Sequence, residues 1–300
     1  MIKFLLIAFT IFSISNVYSQ SLSKSINENE LISYWKSDSL FDQKEYVQAI
    51  EFYKQCAPKN DFSATWSIKK SLCYLLVKDT IAAQAYFKEY VNKGGYYIST
   101  SQISQIPYID LIATEKEVQK QFWQNTYVFE NSDSTCLYPL VLKILMKMRN
   151  LDQEYRHGQA DPNITLTTID SLNRVKLDSL ISIYGWLGYK EVGKSGENAS
   201  FLIVQHSDRN LKFQEKCIKL MQEELLKGNI YPPNFAMLYD RIKVNSNKAQ
   251  LFGSQVERDP KTNKFRPKQV HSYKLLNAYR LYFGFSSIED YLELMSKRNN

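Results

Sequence analysis

A pattern of small and aromatic residues repeats every 34 positions in the first third of the chain, and it constrains the fold more than any other sequence feature. The paired positions are Ser37 with Ser71, Leu40 with Tyr74, Ala49 with Ala83, and Tyr53 with Phe87. A fixed period of this length, in a stretch with hardly any Gly or Pro, is typical of stacked pairs of helices. The sequence therefore predicts helical hairpins in this region.

The segment 45–53, followed by Pro58, resembles the tetratricopeptide repeat. In that family a small residue lets two helices cross closely while aromatic side chains fill the groove beside it. Two units are visible, and a third, degenerate unit is predicted over residues 101–123. We predict a tetratricopeptide-like helical-repeat arm over residues 20–130, with a helix pair that lacks superhelical stacking as the alternative. Because two units bury little surface, the arm should pack on the C-terminal part of the chain.

The first nineteen residues have the pattern of a secretory signal peptide. Lys3 supplies a positive charge, residues 4–14 are apolar, and Val17-Tyr18-Ser19 forms a small-residue cleavage pattern. The apolar stretch is shorter than the roughly twenty residues of a membrane-spanning helix, and no other stretch approaches that length. We expect residues 1–19 to be removed and the mature protein to be soluble and exported, to the periplasm or the outside. The alternative is an ordinary N-terminal helix.

The charge pattern argues against nucleic-acid binding. The formal net charge is +7, and loss of Lys3 with the signal peptide leaves +6. Lys and Arg are interleaved with Asp and Glu along the helical stretches, which favours a solvated surface. The exception is a basic loop over residues 261–268, for which contact with an anionic partner is the alternative to plain solvation.

The four cysteines form no CxxC pair and have no nearby His at metal-ligand spacing. Cys56 and Cys73 fall within predicted amphipathic helices and are predicted to be small core residues. If any disulfide forms in the exported chain, it should join Cys56 and Cys73.

The segment 137–299 is predicted to form a compact helical domain with little or no strand, so that the expected fold class of the whole chain is all-α. Predicted helices cover residues 140–149, 169–184, 197–205, 208–227, 273–283 and 287–295. Gly185 should end the second of them in the left-handed conformation. Asn234 should cap a further helix that follows two prolines. Residues 250–256 alternate weakly, which indicates a strand or an extended loop.

Several polar motifs follow one another in this second region. They are Asp152-Gln153 with Arg156, Gly185-Trp186, Gln205-His206 with Asp208, Asp240-Arg241, and Gln250 with Gly253 and Gln255. In this order they resemble the domain of unknown function 6624 family, an uncharacterised, mostly bacterial and largely helical domain. The resemblance implies a helical fold and a set of polar residues, but no activity.

One histidine stands where a run of core residues ends. His206 comes just after the apolar residues 201–204. Histidine changes charge near neutral pH and can carry a proton, provided that an acceptor orients its other ring nitrogen. Asp208, Asp152 and Asp240 are the candidate acceptors. We predict His206, Asp208 and Asp240 as catalytic residues.

Seven further polar residues are predicted to bind a ligand. The planar guanidinium groups of Arg156 and Arg241 match a carboxylate or a phosphate, and glutamine amides beside Gly253 lie where a backbone can approach a ligand closely. The predicted ligand-binding residues are Asp152, Gln153, Arg156, Gln205, Arg241, Gln250 and Gln255. These residues should converge with His206 on one solvent-reachable cavity, and the ligand should be small and anionic.

The alternative is a buried structural network. In that case Asp240 pairs with Arg241, Asp152 pairs with Arg156, and Gln250 binds backbone groups. The sequence has no HxxxH or HxH pair and no Walker A or Rossmann glycine pattern, so neither a metal nor a cofactor is predicted.

Two functions from different classes remain. The first is an exported binding or scaffold protein, whose arm holds a protein or peptide partner and whose second domain carries the polar pocket. The second is an envelope hydrolase or transferase that uses His206 with an Asp partner as acid and base.

Overall fold

The computed structural model describes residues 27–56, 64–92, 120, 131–158, 161 and 163–298. Within these residues the chain forms twelve helices and one short two-stranded sheet, which confirms the predicted all-α fold. The predicted signal peptide and the predicted third repeat unit lie outside the described residues.

The elements follow one another in a simple order. The N-terminal helices are α1 (Glu28–Asp42), α2 (Tyr46–Gln55), α3 (Ala64–Leu76) and α4 (Thr80–Asn92). The C-terminal half contains α5 (Ser132–Thr135), α6 (Pro139–Arg156), α7 (Leu166–Tyr184), α8 (Tyr189–Gln205), α9 (Leu211–Leu226), α10 (Pro232–Asn245), β1 (Val256–Arg258), β2 (Phe265–Pro267), α11 (Tyr273–Tyr282) and α12 (Ile288–Arg298).

The first four helices form two hairpins with the same geometry. The turn residue of each is a lysine in the left-handed conformation, Lys44 with φ 65° and Lys78 with φ 66°. The backbone N–H of the residue after each lysine closes the turn. The N–H of Glu45 donates to the carbonyl of Leu40 at 2.9 Å, and the equivalent hydrogen bond 34 residues later measures 2.8 Å. The 34-residue period of the sequence is therefore also a period of the structure.

The repeated small and aromatic positions are the buried ones in each hairpin. Ala49 and Ala83 are fully buried, and their methyl side chains allow the helices of a hairpin to approach closely. Tyr53 and Phe87 are buried beside them. The predicted packing within a hairpin is thus present in both units.

The two hairpins do not stand alone. Helix α1 packs against α11, where the rings of Tyr34 and Tyr282 meet edge to face with their centroids 5.6 Å apart. Leu31 on α1 and Leu275 on α11 belong to the same hydrophobic core. The arm therefore packs on the C-terminal half, as expected for a pair of repeat units.

Helix α8 is central to the C-terminal half and longer than predicted. It begins at Tyr189, well before residue 197, and contains a break at Gly193, where φ is 70°. The side chains of Ser132 and Asp133 in α5 accept hydrogen bonds from the two backbone N–H groups after the break, at 3.1 and 2.9 Å. A Cβ atom at position 193 would clash with Oδ1 and the backbone of Asp133, so only glycine fits this contact.

The start of α10 differs from the prediction. Its N-cap residue is Tyr231, and Pro232 occupies the first helical position, where the missing N–H of proline costs no hydrogen bond. Asn234 is not the cap. It lies in the first turn, buried, and its amide donates to Glu197 Oε2 at 3.0 Å.

The predicted extended segment 250–256 is a loop for most of its length. Gln250 makes an isolated bridge with Val270, and Val256 opens the antiparallel pairing of β1 with β2. The predicted basic loop 261–268 is a loop only in its first part, because residues 265–267 form β2, in which Arg266 pairs with Glu257 at 2.9 Å.

All four cysteines are free thiols, so a disulfide between Cys56 and Cys73 is ruled out. Burial raises the pKa of both thiols to about 12, which agrees with their prediction as small core residues. None of the helices in the described ranges is long and apolar enough to span a membrane.

Candidate functional site

A cleft of about 460 Å³ opens in the C-terminal half. Helix α7 lines it, as do residues 206–210 of the turn after α8. Arg156 of α6 and Arg241 of α10 complete the lining. The volume lies within the usual range of small-molecule sites.

His206 ends α8, and its Nδ1 atom lies 2.9 Å from Oδ1 of Asp152 on α6. The side chain of Asp152 is 2% exposed and that of His206 is 16% exposed. Of the three candidate acceptors, the structure therefore pairs His206 with Asp152. Because α6 and α8 pack against each other, two helices fix the geometry of this pair.

Arg156 contacts both members of the pair. Its Nε lies 3.2 Å from each oxygen of Asp152 and 3.0 Å from Nδ1 of His206. Burial raises the pKa of Asp152, but hydrogen bonding and charge from His206, then Arg156 and Gln153, outweigh it and leave the pKa below its usual value. Asp152 is thus an ionised acceptor for Nε–H of Arg156, and Nδ1 of His206 donates to it in the Nδ1–H tautomer, whereas in the other tautomer Nδ1 accepts from Arg156.

The tautomer that donates to Asp152 defines the role of the second imidazole nitrogen. With Nδ1 protonated, Nε2 of the neutral ring carries a lone pair. No described residue hydrogen-bonds to Nε2, and His206 lines the cleft. An imidazole oriented by a carboxylate, with its other nitrogen free, is the arrangement that a general base requires.

A second ion pair borders the cleft. Arg241 binds Asp208 in bidentate fashion, with Nε donating to Oδ1 at 2.7 Å and Nη2 donating to Oδ2. Asn245 also donates to Oδ1 at 2.9 Å. Burial raises the pKa of Asp208, but the hydrogen bonds and charge of Arg241 outweigh it and lower the pKa. The predicted anion clamp Arg241 is therefore already engaged by a carboxylate of the chain.

Asp240 does not belong to the cleft, and its prediction as a neighbour of His206 is wrong. It is fully buried, and its two oxygens accept three backbone N–H groups of residues 251–254 at 2.8 to 3.1 Å. Burial raises its pKa to about 6, although these hydrogen bonds oppose the shift. The alternative pairing of Asp240 with Arg241 is also wrong. Asp240 anchors a loop.

The glutamines separate into two groups. Gln250 is fully buried. It hydrogen-bonds backbone groups of Gln255 and the backbone carbonyl of Lys268, the residue after β2, as the structural alternative predicts. Gln250, Gln255 and Gln205 do not line the cleft. Gln153 donates to Asp152 Oδ2 at 2.7 Å and so helps to position that carboxylate. The predicted residues therefore do not all converge on one cavity.

A family profile described as "Family of unknown function (DUF6624)" matches residues 147–299 of the chain. The chain belongs to this family. The DUF6624 match includes Asp152, Arg156, His206 and Arg241, whereas both N-terminal hairpins lie outside it. Their resemblance to tetratricopeptide repeats stays a prediction. No curated protein and no solved structure matches the chain.

The DUF6624 domain also brings to the cleft polar residues that the sequence motifs did not indicate. They are Thr167, Asp170, Ser171 and Arg174 on α7, and Arg209 in the turn after α8. The α7 residues are spaced i, i+3, i+4 and i+7, which places them on one face of the helix. That spacing is visible in the sequence, but a polar helical face has the same pattern whether it borders a cleft or bulk solvent.

Asp170 is linked to the histidine through Arg156. Nη2 of Arg156 donates to Oδ1 of Asp170 at 2.7 Å, while Nε of the same guanidinium binds Asp152. Burial raises the pKa of Asp170; the charge of Arg156 opposes this shift, and the charge of Asp152 adds to it. A single guanidinium therefore connects the His206–Asp152 pair to α7.

The lining of the cleft carries an excess of positive charge. Four arginines and two carboxylates, those of Asp170 and Asp208, line the cleft. Arg174 and Arg209 make no hydrogen bond or ion pair with any described residue. The described part of the domain contains no group of three or more His, Cys, Asp or Glu side chains arranged to hold a metal ion. The charge distribution suits an anion.

Proposed function

We propose that the cleft of this DUF6624 domain binds a small anionic ligand in an exported protein. The observation that carries the proposal is the pair of guanidinium groups, Arg174 and Arg209, that line the cleft without a partner among the described residues. Guanidinium groups bind carboxylate and phosphate through several N–H donors at once. Arg174 is half-buried in the cleft wall, and Arg209 is exposed at its edge, where an anion can reach it from solvent.

Titration with inorganic phosphate at constant ionic strength tests the proposal. Phosphate should raise the melting temperature of the wild-type protein in a saturable manner. Arg209→Gln should weaken phosphate binding about tenfold, because it removes a charge-assisted hydrogen bond. Lys176→Gln is the matched control, since it removes one positive charge from the exposed surface of α7 outside the cleft. A wild-type melting temperature that phosphate does not change would contradict the proposal.

A second candidate function is acid–base catalysis by an envelope hydrolase or transferase. The observation that favours it is the contact of His206 with the buried, ionised Asp152. In such a reaction Nε2 of His206 would take the proton of an attacking water or hydroxyl group. Asp152 would hold the ring in the productive tautomer and stabilise the imidazolium that forms.

Catalysis predicts a specific loss of rate on substitution of this pair. Against a panel of phosphate esters, carboxylic esters and amides, His206→Ala and Asp152→Asn should each lower the rate of any hydrolysed compound about 100-fold or more. Asp178→Asn, at an exposed ion pair with Lys216, is the control. Circular dichroism checks that each variant folds. A rate that survives both substitutions would exclude His206 as the proton carrier.

For the N-terminal arm we propose binding of a protein or peptide partner. Support comes from the repeated surface of the two hairpins, in which a lysine covers an aromatic ring at equivalent positions. These pairs are Lys36 over Phe52 at 5.2 Å and Lys70 over Tyr86 at 3.9 Å. Selection from a peptide library on the full-length protein should return a consensus sequence; a selection without enrichment counts against this part of the proposal.

Export rests on the sequence of residues 1–19. A positive charge, an apolar stretch and small residues before Gln20 are the parts of a cleavable signal peptide. Protein recovered from the periplasm or the medium should begin at Gln20, as intact-mass measurement can establish. Retention of residues 1–19 in the recovered protein would contradict export by this route.

A further inference from the structure

One face of α7 presents hydrogen-bonding groups that the described chain leaves unused. The hydroxyl groups of Thr167 and Ser171 and the guanidinium of Arg174 bond to no described residue. Asp170 uses only Oδ1, which accepts from Arg156 at 2.7 Å, and leaves Oδ2 without a partner in the described ranges. All four residues line the cleft. This α7 wall is therefore available to a ligand along its whole length.

The α7 wall has two ends of different chemistry. Arg174 offers positive charge, and Arg209 adds a second guanidinium from the turn after α8. One helical turn earlier, Asp170 offers a carboxylate oxygen, which repels an anion and accepts from a hydroxyl group. The Cα atoms of the two α7 residues are separated by about 6 Å along the helix axis. A matching ligand carries its negative charge at one end and hydroxyl donors a few ångströms away.

We infer that the cleft takes a phosphorylated, hydroxyl-bearing small molecule of the sugar-phosphate class, with its phosphoryl group at Arg174 and Arg209 and its hydroxyl groups at Asp170 and Ser171. The inference rests on the proposed binding of a small anion and specifies its class. Three phosphoryl oxygens can satisfy guanidinium groups that come from two different elements. Inorganic phosphate alone would fill only a small part of a cleft of about 460 Å³, so the hydroxylated remainder supplies the further contacts.

Calorimetric titration of the full-length protein distinguishes the ligand classes. The probes are inorganic phosphate, glucose, gluconate, and three phosphorylated compounds: glycerol 3-phosphate, glucose 6-phosphate and mannose 6-phosphate. The tightest of the three phosphorylated compounds should bind about tenfold or more tightly than inorganic phosphate, since it adds hydrogen bonds to a charged group. Glucose, which carries no negative charge, should not bind detectably. Gluconate should bind more weakly than the best phosphorylated compound.

Substitutions on α7 locate the two ends of the ligand. Arg174→Gln should weaken the binding of inorganic phosphate and that of the phosphorylated sugar by similar factors of about ten. Asp170→Asn and Ser171→Ala should instead reduce the preference for the sugar phosphate over inorganic phosphate. Lys176→Gln again serves as the control on the same helix, with the wild-type preference expected.

The outcomes separate this inference from the proposed function. If inorganic phosphate binds and no phosphorylated sugar binds better, the inference is overturned while anion binding stands. If gluconate bound as tightly as the best sugar phosphate, the inference that the ligand carries a phosphoryl group would be overturned. If both Asp170→Asn and Ser171→Ala kept the wild-type preference for the sugar phosphate, the assignment of the hydroxyl groups to Asp170 and Ser171 would be overturned. If no anion binds at all, the proposed function fails and this inference fails with it.

Discussion

Replacing Asp240 with alanine should lower the free energy of unfolding by about 3–5 kcal/mol, because it leaves several buried N–H groups without an acceptor. Asp240 is fully buried, and its oxygens accept from three backbone N–H groups and from the hydroxyl of Ser254. The loop it anchors carries Phe252, whose ring lies 4.7 Å from that of Phe283 in the core. Urea denaturation followed by circular dichroism measures the loss.

Two further variants make this prediction specific. Asp240→Asn keeps one oxygen acceptor and should lose less stability than the alanine variant. Asp178→Ala removes an exposed carboxylate paired with Lys216, and should change stability by less than about 1 kcal/mol. If Asp240→Ala stayed as stable as the control but lost ligand binding, Asp240 would be a functional residue, as the sequence had indicated.

A second large effect is expected in the pH dependence of stability. Glu197 on α8 is fully buried; Asn234 donates to its Oε2, and its Oε1 has no hydrogen-bond partner in the described part of the chain. Burial raises its pKa from 4.5 to about 8, against the opposing effect of the Asn234 hydrogen bond. Because the folded-state pKa is raised, the contribution of Glu197 to stability is fully present below pH 4.5 and is lost as the pH rises through 8.

The comparison of wild type with Glu197→Gln isolates this contribution. Between pH 6 and pH 9 the wild-type protein should lose about 2–4 kcal/mol more of its unfolding free energy than the variant does. Asp240, whose pKa is also raised, titrates in both proteins and cancels from the difference. Glu223→Gln, at an exposed position of α9, should keep the wild-type slope. Equal slopes in wild type and Glu197→Gln would show that the folded-state pKa of Glu197 is not raised, because the carboxyl would then be ionised in both the folded and the unfolded state between pH 6 and pH 9.

Features with a local cause were predictable from the sequence. The 34-residue spacing of alanines and aromatic residues reflects buried positions, such as Ala49 and Ala83, that recur in the two hairpins, and two lysine turns repeat with it. The position of the candidate site was predictable in part for a similar reason. His206 marks the end of a buried helix, and a buried helix that ends in a polar residue indicates a pocket or a network.

Features that depend on contacts between distant segments were not predictable. Asp240 and Arg241 are neighbours in sequence but serve different structures, since one binds residues 251–254 and the other binds Asp208. Asn234 is a residue type common at N-caps, yet it lies inside the first turn and its amide binds the buried carboxyl of Glu197 on α8. The α7 wall has an ordinary amphipathic pattern. Only the position of the turn after α8 makes that face part of a cleft.

The three-way contact of Arg156 has a thermodynamic consequence. The same guanidinium holds Asp170 on the α7 wall and Asp152 beneath the imidazole. A group that competed for Asp170 would therefore change the hold of this guanidinium on Asp152. Such coupling is reciprocal, so a change at Asp152 would alter binding at Asp170 by the same free energy. The α7 helix and the His206–Asp152 pair are thus two ends of one linked system.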